Sequence, residues 1–303
     1  MMASLASMFS AALLIGLAVP DRASATDPPA WVDVRAYGAK GDGGATGGNS
    51  NDTRPLNDAM AALLSAGGGT LLLPPGVYSV NATLRWFQTG SQARIRVVGA
   101  SRDTTTLRWD GPENGTAVRV QRAVGFEIAH LTIKNNVGRG STTGLLVLSE
   151  VIGGSDTGPG VLTNVTVDGF QDCYVVGQGQ APSGHAASEL WSVNLMVKNC
   201  RTGVTINHGQ SPDHWFHGLG MTSNGTGLLT QNQGGGSTLV YGGSASNNLE
   251  DFALRGSGPV TIDGFRSENA GRFLTIGSEA GADGPTTGSY IRARRQRQRH
   301  AQR

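Results

Sequence analysis

The chain is short of charge, of aromatic rings and of cysteine. Asp, Glu, Lys and Arg supply 15% of its 303 residues and Phe, Trp and Tyr 6%, a composition that does not fit an ordinary helical enzyme with an ion-pair-laced surface. The only cysteines are Cys173 and Cys200, with no Cys-x-x-Cys and no Cys/His spacing of the kind that holds structural zinc. They read either as a disulfide or as two small buried residues in turns. No apolar run is long enough to span a bilayer. The clearest, Ala11–Val19, is followed by Ala23-Ser24-Ala25, so residues 1–25 are expected to be a signal peptide and the protein to be secreted.

Positive charge is concentrated at the C-terminal end of the sequence. The formal net charge is +2, but six arginines fall between Arg292 and Arg303. Setting aside that tail and residues 1–25, which hold Arg22 and Asp21, leaves 17 basic against 21 acidic residues, a body near −4. Such a body gives no electrostatic reason to expect nucleic-acid binding. Residues 286–303 are expected to form a basic, unstructured tail. They also resemble an out-of-frame or truncated end, because the rung pattern described below stops before them.

Glycine, by contrast, is abundant at 46 residues, and Val, Thr, Asn and Ser recur in short blocks, which predicts many short strands joined by tight turns. One helix is expected near Arg54–Ser65, capped by Asp52 or Thr53, with Leu56, Met60, Leu63 and Leu64 on one face and Gly67–Gly69 ending it. Beyond it a unit repeats: HLTIKNN from His130, NVTVDGF from Asn164, NLMVKNC from Asn194, GLGMTSN from Gly218, GGSASNN from Gly242 and GFRSENA from Gly264. Alternate positions are apolar or small, Leu131 and Ile133 in the first and Val165 and Val167 in the second, so one face is buried. Just past them a turn asparagine recurs at Asn135, Asn199, Asn224, Asn247 and Asn269, with Gly169 in the slot once. A further strand follows each turn.

Units 21 to 34 residues apart, tightening to 25, 23 and 22, cannot bury an apolar face alone and must stack. The expected fold is an all-β solenoid, a right-handed single-stranded parallel β-helix over residues 26–285. The N-terminal helix would cap its open end.

The opening glycine loop, DVRAYGAKGDG from Asp33 to Gly43, fits neither the dinucleotide fingerprint nor the phosphate loop that ends in Gly-Lys-Ser/Thr. Together with NDTRPLNDAMAALLSAGGGTLLLPPGVYSV it resembles the opening segment of the pectate-lyase superfamily of β-helix proteins, which includes rhamnogalacturonase-like and epimerase-like members and phage tailspikes. The likeness is strong over residues 32–80 and weak over the later rungs. It implies a first strand, a turn and a capping helix. It also implies a carbohydrate-active protein that cleaves an acidic, pectin-like polysaccharide by β-elimination or hydrolysis; the alternative is a non-catalytic glycan-binding or cell-surface module, or a truncated, inactive chain. A monomer and a homotrimer are left equally open.

Three groups of residues carry the chemical expectations. Outward along the first strands runs a column of Lys134, Asp168, Lys198, Ser223 (by a one-residue shift), Ser246 and Glu268, flanked by Arg266. Asp168 is a candidate acid or calcium ligand, and Lys198, with Arg201 nearby, a candidate base. The same column also reads as an exposed ion-pair ladder of low energetic worth. The second group is INHGQSPDHWFH, where His208, Asp213 and His214 are a weak metal set and Trp215 a candidate sugar-stacking ring, or else loop residues packed over the rungs. The third is the turn carboxylates Asp172, Glu189 and Asp213, the alternatives for hydrolysis, which needs two carboxyl groups about 5 to 9.5 Å apart. Asp172-Cys173 and Asn207-His208-Gly209 echo polygalacturonase motifs, without the paired aspartates.

Overall fold

The computed structural model describes residues 31–43, 51–86, 94–150, 157–179, 183–232, 234, 236–256, 258–277 and 290–296. The expected signal peptide lies outside them. Among the described residues no helix is long and apolar enough to cross a membrane.

The repeat forms a parallel solenoid of about seven turns. Each full turn contributes one long strand to a larger sheet of thirteen strands and one short strand to a smaller sheet of eight. Successive long strands are Phe126–Asn135, Gly160–Asp168, His214–Thr222, Thr238–Ser246 and Val260–Glu268, with Leu190–Val193 and Met196–Lys198 filling one rung in two pieces. The short strands run from Leu84–Trp86 through Asp172–Val176, Thr202–Ile206, Thr226–Thr230 and Glu250–Leu254 to Arg272–Ile276. Every ladder between these strands is parallel, and rungs stack one strand spacing, about 4.8 Å, apart.

Each long strand bends at one residue with φ near +50° to +70°: His130, Asn164, Asn194, Gly218, Gly242 or Gly264. Glycine and asparagine dominate there because a Cβ is costly in the left-handed region. The bend splits the larger sheet into two faces, so the cross-section has three sides around a core of Leu131, Val165, Leu195, Leu219 and Phe265 and the columns beside them, all buried. Burying each such side chain stabilises by about 1.5–3 kcal/mol.

The second turn corrects one expectation. Its left-handed residues are Gly169, Asn199, Ser223, Asn247 and Asn269, so Ser223 belongs to the turn and Thr222, paired with Lys198 and Ser246, takes the outward column. Asn224 lies one place further on and turns inward with Asn248. Their Oδ1 atoms accept the backbone N–H of Cys200 and of Asn224 at 3.0 and 2.8 Å, and their Nδ2 atoms donate to the carbonyls of Val197 and Met221. The reason is satisfaction: an unpaired N–H inside the turn costs more than burying an amide that bonds at both ends.

Cys173 and Cys200, on neighbouring rungs, form a disulfide with a sequence separation of 27. By loop-closure entropy such a link contributes about 3.5 kcal/mol. Cys173→Ala/Cys200→Ala is therefore expected to lower the unfolding free energy by about that amount. A denaturant titration checks this against the untreated parent, and an unchanged midpoint would sink it.

The helix spans Thr53–Ser65 and buries Leu56, Ala59, Met60 and Leu63. Asp52 holds the N-cap position, but its side chain makes no capping hydrogen bond. The Asp52 carboxylate instead accepts N–H bonds from Lys40 at 2.7 Å and Ser79 at 3.0 Å, tying the opening glycine loop to Gly76–Val80. Gly41 and Gly43 sit at φ +63° and +64°, and a Cβ on Gly41 would come within 2.9 Å of the Tyr78 ring. The loop is thus a clasp joining the first rung to the helix, which accounts for its glycines.

The stretch expected as an unstructured tail enters the fold through Tyr290–Gln296, which pairs in parallel with Thr261–Glu268. An open sheet edge presents unpaired N–H and C=O groups, and pairing removes them.

Candidate functional site

The three sides carry different surfaces. The face running through Lys134, Asp168 and Lys198 holds the expected charge column in register: Lys134 pairs with Asp168, and Asp168 with Lys198. Lys198 Nζ lies 3.6 Å from Asp168 Oδ2, and Asn199 Nδ2 donates to Asp168 Oδ1 at 2.8 Å. Both carboxylate oxygens of Asp168 are therefore engaged within the protein. Arg266 and Glu268 form their own pair at 3.4 Å, several rungs away.

The second face carries two stacked pairs. Trp191 and Trp215 lie 4.5 Å apart with their planes 10° from parallel, and His217 and Tyr241 lie 5.6 Å apart at 25°. Trp215 belongs to a strand, not a loop, and Trp191 already covers one face of its ring. A sugar meets mainly indole edges there. Trp191 is also the residue that sequence reasoning missed: its partner became visible only once Leu190–Val193 paired in register with His214–His217.

Two of the segment's three histidines, His208 and His214, turn inward. His208 and His214 are fully buried, with His214 in the core column of Leu190 and Val260. His214 Nε2 bonds the Ser211 carbonyl at 2.8 Å, and His208 Nδ1 accepts the Gln210 N–H at 3.0 Å. Among the described residues no three His, Cys, Asp or Glu side chains converge on a metal position.

Burial drives His214 down to about 4, against the Ser211 bond, which raises it, and moves His208 in the same direction, with the charge of His185 as the lesser cause. A value depressed on folding supports stability above the unfolded pKa near 6.5, and that support is lost as pH falls through 4. For His214 the loss at pH 4 is about 3 kcal/mol. Thermal melts between pH 7 and pH 4 are expected to show it, with a shallower fall in His214→Leu; equal slopes in the two proteins would refute this.

The third side, the outer face of the smaller sheet, carries a groove of about 730 Å³. Residues ahead of the strands, including Arg201, form one rim, and residues after them, including Arg255, the other. Its floor holds a column of Asp172, Thr202, Thr226, Glu250 and Arg272 on successive rungs. Glu250 pairs with Arg272 at 3.6 Å and accepts the Thr275 hydroxyl. Arg201 and Arg255 form no ion pair among the described residues.

Burial pushes the Asp172 carboxyl above its ordinary value, opposed by a hydrogen bond with Thr202 and by the charge of Arg201. Of the expected residues, the groove thus brings together Asp172 and Arg201 and leaves Asp168, Lys198 and Lys134 on another side.

Carboxylate spacing separates the chemistries. Asp172 and Glu250 are three rungs apart, about 14 Å, beyond either hydrolytic geometry. Glu189 and Asp213 immediately precede paired strands on neighbouring rungs, at φ +55° and +63°, so their backbones are one spacing, about 4.8 Å, apart.

No protein-family profile and no curated protein matches the chain. Solved structures do. The chain is similar to the Agl-KA catalytic domain, at 16% identity over 87% of this chain and 46% of that one with a TM-score of 0.59. It is similar to a 1,3-α-1,4-β-D-galactose-4-sulfate-3,6-anhydro-D-galactose-2-sulfate 4-galactohydrolase, at 17% identity over 80% and 60% with a TM-score of 0.59. To the A-module of an Azotobacter vinelandii mannuronan C-5 epimerase the identity is 18% over 80% and 72%, with a TM-score of 0.51. The chain spans less than two thirds of the length of the first two. The fold these structures share with the solenoid described above is the right-handed parallel β-helix.

Proposed function

We propose that the protein is an exported carbohydrate-active protein that cleaves an acidic, pectin-like polysaccharide by β-elimination in the groove of the smaller sheet. The observation that carries this reading is Asp172, a carboxyl with a raised proton affinity, standing beside Arg201 in a groove with two further arginines. A uronate lyase must neutralise the substrate carboxylate, remove the proton from the adjacent carbon and protonate the departing oxygen. Arg201 supplies the positive charge beside Asp172, and Arg255, three rungs on and at the opposite rim, meets a different unit of the same acidic chain. Ionised Asp172 takes the proton, the glycosidic C–O bond on the next carbon breaks, and the same carboxyl returns the proton to the leaving oxygen. The new chain end is an unsaturated uronate.

A second reading, hydrolysis, rests on Glu189 and Asp213 standing on neighbouring rungs, and it requires their carboxyl groups to lie about 5 to 9.5 Å apart.

The test follows unsaturated product and reducing ends together on polygalacturonate and other uronic-acid polysaccharides, with calcium and with chelator. Both signals, persisting in chelator, support elimination. Reducing ends alone move the reaction to Glu189 and Asp213. Neither signal, with saturable glycan binding, leaves a binding module and ends the catalytic reading.

A further inference from the structure

We infer that Arg85 and Arg119 form an oxyanion-binding site on the N-terminal rungs of the same sheet, separate from the groove. The two arginines are register partners on neighbouring strands, Leu84–Trp86 and Thr116–Gln121, which puts two guanidinium groups one strand spacing apart. They line a second cavity, of about 280 Å³, with Gln121 and Glu150. Arg119 Nε is buried and has no hydrogen-bond partner among the described residues. Burial, and then the charge of Arg85, pulls Arg119 below its ordinary value. Glu150, the acid on the cavity wall, is held by Arg122 at 2.7 Å, and Gln121 Nε2 is turned to the Ser149 carbonyl at 3.4 Å.

Stacked like charges and an orphaned guanidinium N–H are both costly in an empty cavity, and one bound oxyanion relieves both. A planar carboxylate or a sulfate matches the fork of two guanidinium groups, so the ligand class is a carboxylate or sulfate group. Its place follows from the ladder: Arg119 pairs with Leu146, and Leu146 with Val175 on the wall of the groove. The site thus lies two rungs, about 10 Å, before the groove on one continuous outer face. A polyanionic chain lying along the solenoid axis would place an acidic group there. Only this choice of glycan as the source of the anion rests on the function proposed above.

The experiment uses the full chain with two probes, inorganic sulfate and a galacturonate oligosaccharide, by calorimetry and thermal melting. Sulfate is expected to bind saturably and to raise the melting temperature, and Arg119→Gln and Arg85→Gln are each expected to weaken that binding at least tenfold while Arg54→Gln, on the helix and outside both cavities, leaves it unchanged. Without sulfate, Arg119→Gln is expected to melt at or above the parent temperature, which shows that it folds. Equal sulfate binding by the parent and both variants, or no saturable sulfate binding, overturns the inference. If the oligosaccharide also binds more weakly to Arg119→Gln, the anion belongs to a glycan. If only sulfate does, the site takes a free oxyanion, and the groove reading is judged separately by Arg201 and Arg255.

Discussion

Asp172→Asn is expected to lower turnover of an acidic glycan by about 10²- to 10⁴-fold, the usual contribution of a positioned proton-transfer group. Asparagine keeps the shape and the capacity to bond Thr202, so substrate binding should change far less than turnover. The stability sign is opposite to that of activity. A carboxyl whose folded pKa is raised weighs against the native state as pH rises past its ordinary value of 3.8. At neutral pH the asparagine variant should therefore melt at or above the parent temperature. Parallel measurement of initial rates and melting curves decides the matter: full activity in the variant removes Asp172 from the chemistry, and a large loss of stability would make the activity loss structural. Surrender of stability for function is the pattern expected where a group is buried for its reactivity.

Phe252→Ala is expected to cost about 3–5 kcal/mol, the largest stability effect of any single change considered for this chain. Phe252 is fully buried and meets Phe265 edge-on at 5.0 Å and Phe273 at 5.5 Å, linking both sheets in the last described rungs. In a solenoid each rung contacts only its neighbours, so the loss should fall on the C-terminal turns and leave the clasp around Asp52 intact. Hydrogen exchange should show protection lost first around Glu250–Leu254 and Arg272–Ile276. A uniform loss from both ends, or a cost below about 1 kcal/mol, would contradict this account.

The legible part of the fold was the part written locally. Period-two alternation from His130 to Glu268 placed the inward columns correctly, because an inward side chain in a strand must be apolar or small whatever its neighbours do. The helix was legible from Leu56, Met60 and Leu63 by the same logic. The capping role of Asp52 was not, since competing donors came from Lys40 and Ser79, one of them 27 residues away. The error at Ser223 has a similar origin. Two consecutive residues, Ser223 and Asn224, both suit a turn, and only pairing with the rungs on either side decides which takes the left-handed position and which turns inward.

The site was less legible than the fold. Lys134, Asp168 and Lys198 stood out because they alternate in a repeat, yet in three dimensions they mostly satisfy one another. Asp172 and Arg201 lie in different repeats and gain meaning only when two rungs stack and burial raises the proton affinity of the carboxyl. His208 and His214 read as a surface loop, but the strand beginning at His214 carries the imidazole into the core column of Leu190 and Val260.

By itself the sequence determined the solenoid, its repeat and its helix, because each follows from short-range sterics and the burial of periodically spaced side chains. Only the tertiary structure decided which outward residues share a face: the pairing of Cys173 with Cys200, the stacking of Trp191 on Trp215, the meeting of Asp172 with Arg201 and of Arg85 with Arg119. Those contacts depend on how many residues each turn takes to close its circuit, and the turns vary in length from rung to rung.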